Sequence, residues 1–214
     1  MKLQTYQYKK QIGVFLAMIM ALSCSLTGQE SIEDSLNYFA VAYKADEEGD
    51  YKKALKFYNK QLEITPNDVP TYNNRGNIFV EIGDLEKGMQ DYLTALSIDS
   101  SVRLVRNNIG VVKFDQGLFG ESVKYYQQEI KVNPTYSNAY NNLGYAYYML
   151  EAFDLAIDSY QKALALDTNN AVYLENLKNA QQQKAINEEW KEKMAKFKML
   201  IYDSSFNQLN PLYS

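Results

Sequence analysis

Asparagine pairs return at one fixed spacing in this chain. Asn73–Asn74 lie in "YNNRGN", Asn107–Asn108 in "RNNIGV" and Asn141–Asn142 in "YNNLGY", each 34 residues after the last. An asparagine amide has N–H donors and a carbonyl acceptor, so it can bond both the N–H and the C=O of a passing backbone. A row of such amides is binding chemistry. Asparagine costs about 0.5–0.7 kcal/mol relative to alanine inside a helix, so its regular return asks for a reason. Two reasons stand side by side: contact with a ligand, or local satisfaction of backbone groups and bridging between neighbouring helices.

Little else in the composition suits catalysis. There is no histidine, which removes the commonest general base and metal ligand. The single cysteine, Cys24, can form neither an internal disulfide nor a thiolate cluster. No glycine loop precedes a phosphate-binding helix, and no Asp-x-Asp-x-Asp loop offers a metal cage. Acidic pairs such as Asp46/Glu47 and Glu188/Glu189 fall on solvent faces. The chain reads as a non-enzyme with no metal, cofactor or small-molecule substrate. Its net charge is −4, and three positives stand before Cys24 with no acid, so the remainder carries −7. An acidic body argues against nucleic acid as the partner.

The elements that carry the asparagines follow the same period. Counting positions 1 to 34 from Ser35, Val69, Arg103 and Ser137, position 8 is small: Ala42, Gly76, Gly110 and Gly144. Position 20 is small too, with Ala54, Gly88, Ser122 and Ala156, and position 24 is always tyrosine: Tyr58, Tyr92, Tyr126 and Tyr160. Position 15 holds Gly49, Gly83 and Gly117, as a helix C-cap requires, with Glu151 departing in the fourth copy. Pro66 and Pro134 hold position 32 in the first and third copies. These residues resemble the tetratricopeptide repeat (TPR), whose length is 34. The resemblance covers residues 35–170 in four windows, 35–68, 69–102, 103–136 and 137–170. It implies an all-α, right-handed α-solenoid of helix–turn–helix units whose stacking builds one continuous core. Arg75, Arg106 and Lys113 stand where apolar residues are usual, and their stems are expected to pack while the charged ends reach water.

The resemblance also implies that first helices line a concave side. With positions 4, 7, 8 and 11 expected toward the core, positions 2, 5, 6, 9, 12 and 13 face that side. The candidate peptide-binding residues are therefore Asn73, Asn74, Asn77, Asn107, Asn108, Asn138, Asn141, Asn142 and Tyr145, an asparagine ladder centred on Asn74, Asn108 and Asn142. Tyr148 accompanies Tyr145, and Asn176 keeps the same phase beyond the fourth repeat. A clamp for a C-terminal carboxylate is rejected: of its matching slots only Asn74 fits, and Phe39, Tyr43, Leu104 and Asn108 offer no cation. Asp46, Glu47, Glu81 and Asp115 on the outer slots favour a basic ligand edge.

Both ends carry separate signals. Lys2, Lys9 and Lys10 precede the apolar run Ile12–Leu22, which is too short to span a membrane comfortably. Residues 1–28 thus resemble a bacterial export signal, with three outcomes open. "ALSC" resembles a relaxed lipobox, making Cys24 a lipid attachment site; cleavage after Gly28 is the second route; an uncleaved anchor is the third. Each takes the body out of the cytoplasm, to the cell envelope as a periplasmic or lipid-anchored protein. Residues 29–34 read as a linker. Residues 171–202 read as a capping helix that places Leu174 and Leu177 on the last repeat, and 203–214 as a flexible tail. Along that helix Ile186, Trp190, Met194, Phe197 and Ile201 form one apolar stripe, with Trp190, Met194 and Phe197 as candidates for a partner helix. The expected function is capture of an extended peptide in the groove; the alternative is a scaffold or accessory subunit that docks through its convex face or the Trp190 helix.

Overall fold

The computed structural model describes residues 32–209, with side chains from 38 to 202. The expected export signal, Cys24 and the last residues of the tail lie outside the described residues. Among those described there are nine α-helices and no strand. They are α1 (Ile32–Glu47), α2 (Tyr51–Ile64), α3 (Val69–Glu81), α4 (Leu85–Ile98), α5 (Val105–Asp115), α6 (Phe119–Val132), α7 (Ser137–Met149), α8 (Phe153–Leu166) and α9 (Ala171–Leu209). Odd-numbered helices up to α7 are the first helices of the repeats and even-numbered ones the second. Helix α1 begins within the stretch expected as linker, and α9 runs past residue 202 into the stretch expected as tail.

Position 15 sets the turn inside each repeat. Gly49, Gly83 and Gly117 adopt φ of +73°, +85° and +75°, a conformation that only glycine reaches without strain. The next N–H then folds back on the helix: Asp50 donates to the Ala45 carbonyl, Asp84 to Phe79 and Leu118 to Lys113, while the glycine N–H takes the inner carbonyl. Repeat four makes the same turn without glycine. Glu151 sits at φ +57° and Ala152 donates to Tyr147. That conformation costs an L-residue about 1–2 kcal/mol. Asp50 and Asp84 then cap α2 and α4, accepting from the N–H groups of Lys53 (3.0 Å) and Lys87 (3.2 Å). Leu118 and Ala152 at the equivalent place make no side-chain cap.

Positions 8 and 24 fix how the two helices cross. A Cβ added to Gly76 would lie 2.8 Å from Tyr92 Cε1; on Gly110 it would lie 2.5 Å from Tyr126, and on Gly144 2.7 Å from Tyr160. The tyrosine ring occupies the space that glycine vacates. Tyr58, Tyr92, Tyr126 and Tyr160 are accordingly the largest fully buried side chains. Burial pushes the Tyr58 phenol up to about 12 and raises the other three as well.

The helices group into two compact units, residues 1–109 and 110–214, each with its own core. In the first, Ala42, Ala45, Ala54, Tyr58 and Ile78 pack together, flanked by Phe39, Tyr51, Leu55 and Phe57. In the second, Tyr126, Leu143 and Ala146 form one cluster and Ala156, Tyr160 and Ala180 another, with Tyr147 against both. The buried face of the first helices differs from the expected one. Position 3 (Thr71, Val105, Ala139, Tyr173) and position 10 (Ile78, Val112, Ala146, Ala180) are buried in repeats two to four and the cap, whereas Lys44 at position 10 of repeat one is exposed. Position 4 is only half-buried at Tyr72, Arg106 and Tyr140. Positions 3, 7 and 10 make one line along the helix and positions 4, 8 and 11 the next, because a first helix packs on two neighbours and needs a wide apolar arc.

Two further expectations are corrected. Arg75 does not extend to water: its Nε and Nη2 donate to the two carboxylate oxygens of buried Asp91, both at 2.7 Å, and Nη1 donates to Asn59 Oδ1 at 2.7 Å. Leu174 is exposed, and the cap is seated by Tyr173, Leu177 and Ala180 instead. Tyr173 leads because position 3, not position 4, points inward.

Candidate functional site

In the first unit the asparagines bond to one another. Asn108 on α5 donates from Nδ2 to Asn73 Oδ1 (3.0 Å) and to Asn77 Oδ1 (2.9 Å) on α3. Tyr92 Oη donates to the same Asn77 oxygen at 2.7 Å, and Asn73 Nδ2 donates to Asn74 Oδ1 at 3.3 Å. Both N–H groups of Asn108 are thus used, and Asn107 is buried. The expectation that these two amides serve a ligand is corrected: Asn108 is engaged between α3 and α5, and Asn107 is withdrawn from the surface. Asn74 lies close enough to Tyr58 to lower its pKa, although no hydrogen bond of good geometry joins them. Asn77 stays exposed.

The second unit repeats the device. Asn176 on α9 donates to Asn141 Oδ1 on α7 at 2.9 Å. Tyr173 Oη donates to Asn138 Oδ1, and Asn138 Nδ2 reaches Tyr136 Oη at 3.4 Å. In both units, position 6 of one first helix donates to position 5 of the first helix before it. Asn73 in the first unit and Asn141 in the second thus each accept from the next first helix of the same unit. Each such bond contributes about 1 kcal/mol to the stacking.

The first unit stacks Phe39 on Tyr43 at 6.4 Å, and the second carries a longer aromatic row. The rings of Phe119 and Phe114 lie 5.0 Å apart, Phe114 and Tyr145 stack at 4.9 Å, Tyr145 and Tyr148 at 6.4 Å, and Tyr148 meets Phe153 edge-on at 5.6 Å. Beside the row lies a cleft of about 310 Å³ lined by Tyr145, Tyr148, Tyr160, Asn176 and Asn179. That is at the small end of ligand pockets, about 300–1,000 Å³, and suits one or two side chains of a larger partner. Tyr145 is 45% exposed at its edge and Asn179 is exposed. The floor is the buried Tyr160, whose phenol is raised by burial and then by the neighbouring Tyr145 and Tyr148. Rings covering an apolar side chain, with amides at the rim for its backbone, are the means of peptide recognition.

Profiles of the family described as Tetratricopeptide repeat match residues 35–68, 69–102 and 137–170, and one described as TPR repeat matches 110–151, together more than half of the chain. The chain belongs to the tetratricopeptide-repeat family. Solved structures share the TPR fold. MamA matches at 22% identity with a TM-score of 0.63, over 77% of this chain and 90% of that one. Pseudomonas aeruginosa pilF matches at 20% and 0.66, over 72% of this chain and 70% of that one. MamA from Desulfovibrio magneticus matches at 18% and 0.59, over 74% and 96%. At such identities the likeness establishes the fold alone. No curated protein matches the chain. TPR units make protein–protein interaction modules, and that is the class of this protein.

Within the TPR frame, the sequence-derived site residues divide. Tyr145 stands at the cleft; Asn138, Asn141, Asn73, Asn77 and Asn108 stand in helix-to-helix bonds; Asn107 is buried; and Asn74 and Asn142 are half-buried. Trp190, Met194 and Phe197 are exposed. Asn179 was missed, although it falls at position 9 of the cap, the phase of Tyr145 and Asn77. In the first unit position 9 holds Tyr43 and Asn77, and position 12 of repeat one holds an acid, Asp46. Asp46 is held above the usual carboxylate range by desolvation, then by Glu47 and Glu81.

Proposed function

We propose that the protein is a non-enzymatic interaction module of the cell envelope that holds an extended segment of a partner polypeptide against the cleft of its second unit. The cleft carries the reading, because it joins an exposed stacked ring, Tyr145, to the amides of Asn176 and Asn179 around a volume sized for side chains. An apolar or aromatic side chain of the partner enters the cleft beside Tyr145 and Tyr148, and the amides bond its backbone. The envelope location is supported by the lysines before Ile12–Leu22 and by Cys24 after it.

Selection of displayed peptides on the immobilised full chain, with affinities measured by calorimetry, tests the reading. Selected peptides should carry an apolar anchor in an extended run, and Asn179→Ala should weaken them. Peptides whose affinity is indifferent to Tyr145→Ala and Asn179→Ala would refute the cleft. The mass of the mature N-terminus, recovered from membranes, tests the envelope reading separately: lipid on Cys24 or cleavage after Gly28 is expected, and an intact Met1 on a cytosolic protein would oppose it.

A further inference from the structure

We propose that the C-terminal half of α9 lies on an anionic lipid bilayer, with its apolar stripe turned into the headgroup layer. The inference is independent of the cleft. Helix α9 is seated on the second unit through Tyr173, Leu177 and Ala180. Lys184 adds an ion pair to α8: its ammonium lies 2.6 Å from Asp154, and 3.7 Å from Glu188 on its own helix. From Lys184 to Tyr202 the helix rises about a further 27 Å. Over that length Ile186, Trp190, Met194, Phe197 and Ile201 keep within about 40° of one line, at 100° per residue. All five are exposed, Trp190 at 61% and Phe197 at 56%.

The charges beside the stripe select its occupant. Lys191 and Lys198 border one side; Lys193 and Glu189 border the other with Lys196 just beyond them, while Glu188 and Glu192 lie on the opposite face of the helix. Lys193 is bridged to Glu189 at 2.5 Å; Lys191, Lys196 and Lys198 hold no ion pair among the described residues. In an antiparallel pair of stripes the Lys191–Lys198 flanks would face each other, lysine against lysine. Lipid phosphates instead complement Lys191, Lys196 and Lys198 at once. An aromatic and aliphatic stripe edged by lysines, with Glu188 and Glu192 facing water, is the pattern of a helix lying in a bilayer interface. Among the described residues no helix is long and apolar enough to cross a membrane, so α9 lies on the surface.

Trp190 is the sole tryptophan, so its emission reports on this helix whatever another segment does. The full chain is titrated with vesicles of phosphatidylcholine alone and of phosphatidylcholine mixed with phosphatidylglycerol. On the mixed vesicles, emission should move to shorter wavelength and become shielded from an aqueous quencher; on neutral vesicles the change should be far smaller. Replacing Lys191, Lys196 and Lys198 together by Gln should weaken binding on the order of a hundredfold, at about 1 kcal/mol for each cation near the surface. Phe197→Glu should abolish the shift while leaving the thermal midpoint in place. Unchanged emission on anionic vesicles would overturn the proposal, as would an equal shift on neutral ones. Emission already shifted without lipid, in a species of twice the chain mass by light scattering, would overturn it in favour of a second copy.

Discussion

Asn73, Asn77, Asn108 and the Tyr92 hydroxyl close on one another in the first unit, whereas Phe114, Tyr145 and Tyr148 stack beside an open cleft in the second. The same stitch between first helices appears in both, as Asn108 to Asn73 and Asn176 to Asn141. The difference lies at positions 9 and 12. The first unit has Asn77 and Val80 there in its second repeat; the second unit has Tyr145 and Tyr148. Positions 5 and 6 thus join consecutive first helices in both units, and position 9 shares in that bonding at Asn77 but carries the exposed Tyr145 ring in the second unit.

The units also differ in how they treat charge, and that gives the largest test. Arg75→Ala strands the buried Asp91 carboxylate in the first unit and should cost about 3 kcal/mol in denaturant unfolding. Lys113→Ala breaks a more open pair with Glu121 in the second, 3.0 Å apart, and should cost under about 1 kcal/mol. Equal losses would erase the contrast. Next comes Tyr145→Ala. It should weaken a selected peptide by about 2 kcal/mol, roughly thirtyfold, while barely moving the thermal midpoint, as expected of an aromatic hot spot. Asn108→Ala sharpens the comparison from the other side. It should lower stability by roughly 1–2 kcal/mol, since it leaves the Asn73 and Asn77 oxygens without that donor, and should leave peptide affinity unchanged. The smallest effect belongs to the turn of repeat four: Glu151→Gly should stabilise the second unit by about 1 kcal/mol, whereas Gly83→Ala should destabilise the first by at least as much.

The repeat was legible because its constraints are steric. Glycine at 76, 110 and 144 answers a tyrosine ring, and glycine at 49, 83 and 117 answers a positive φ, so spacing alone fixed the units. The role of the asparagine pairs was not legible, because an amide that bridges two helices and one that awaits a ligand look alike in sequence. The Arg75–Asp91 pair left a double trace, of which Arg75 alone stood out as a departure. Both departures fall in repeat two, at positions 7 and 23, where the other copies hold Val41, Ile109 and Leu143, and Phe57, Tyr125 and Ser159. Tyr173 was missed since position 3 varies among Thr71, Val105 and Ala139, all small enough to hide an inward direction.

The division of labour between stitch and cleft is tested most directly by the amide-shift footprint of a selected peptide on the full chain, followed by nuclear magnetic resonance. Perturbations centred on Tyr145, Tyr148, Asn176 and Asn179, with Asn73, Asn77 and Asn108 still, are the predicted result. A footprint centred on Asn74, Asn77 and Asn108, with the cleft silent, would contradict it.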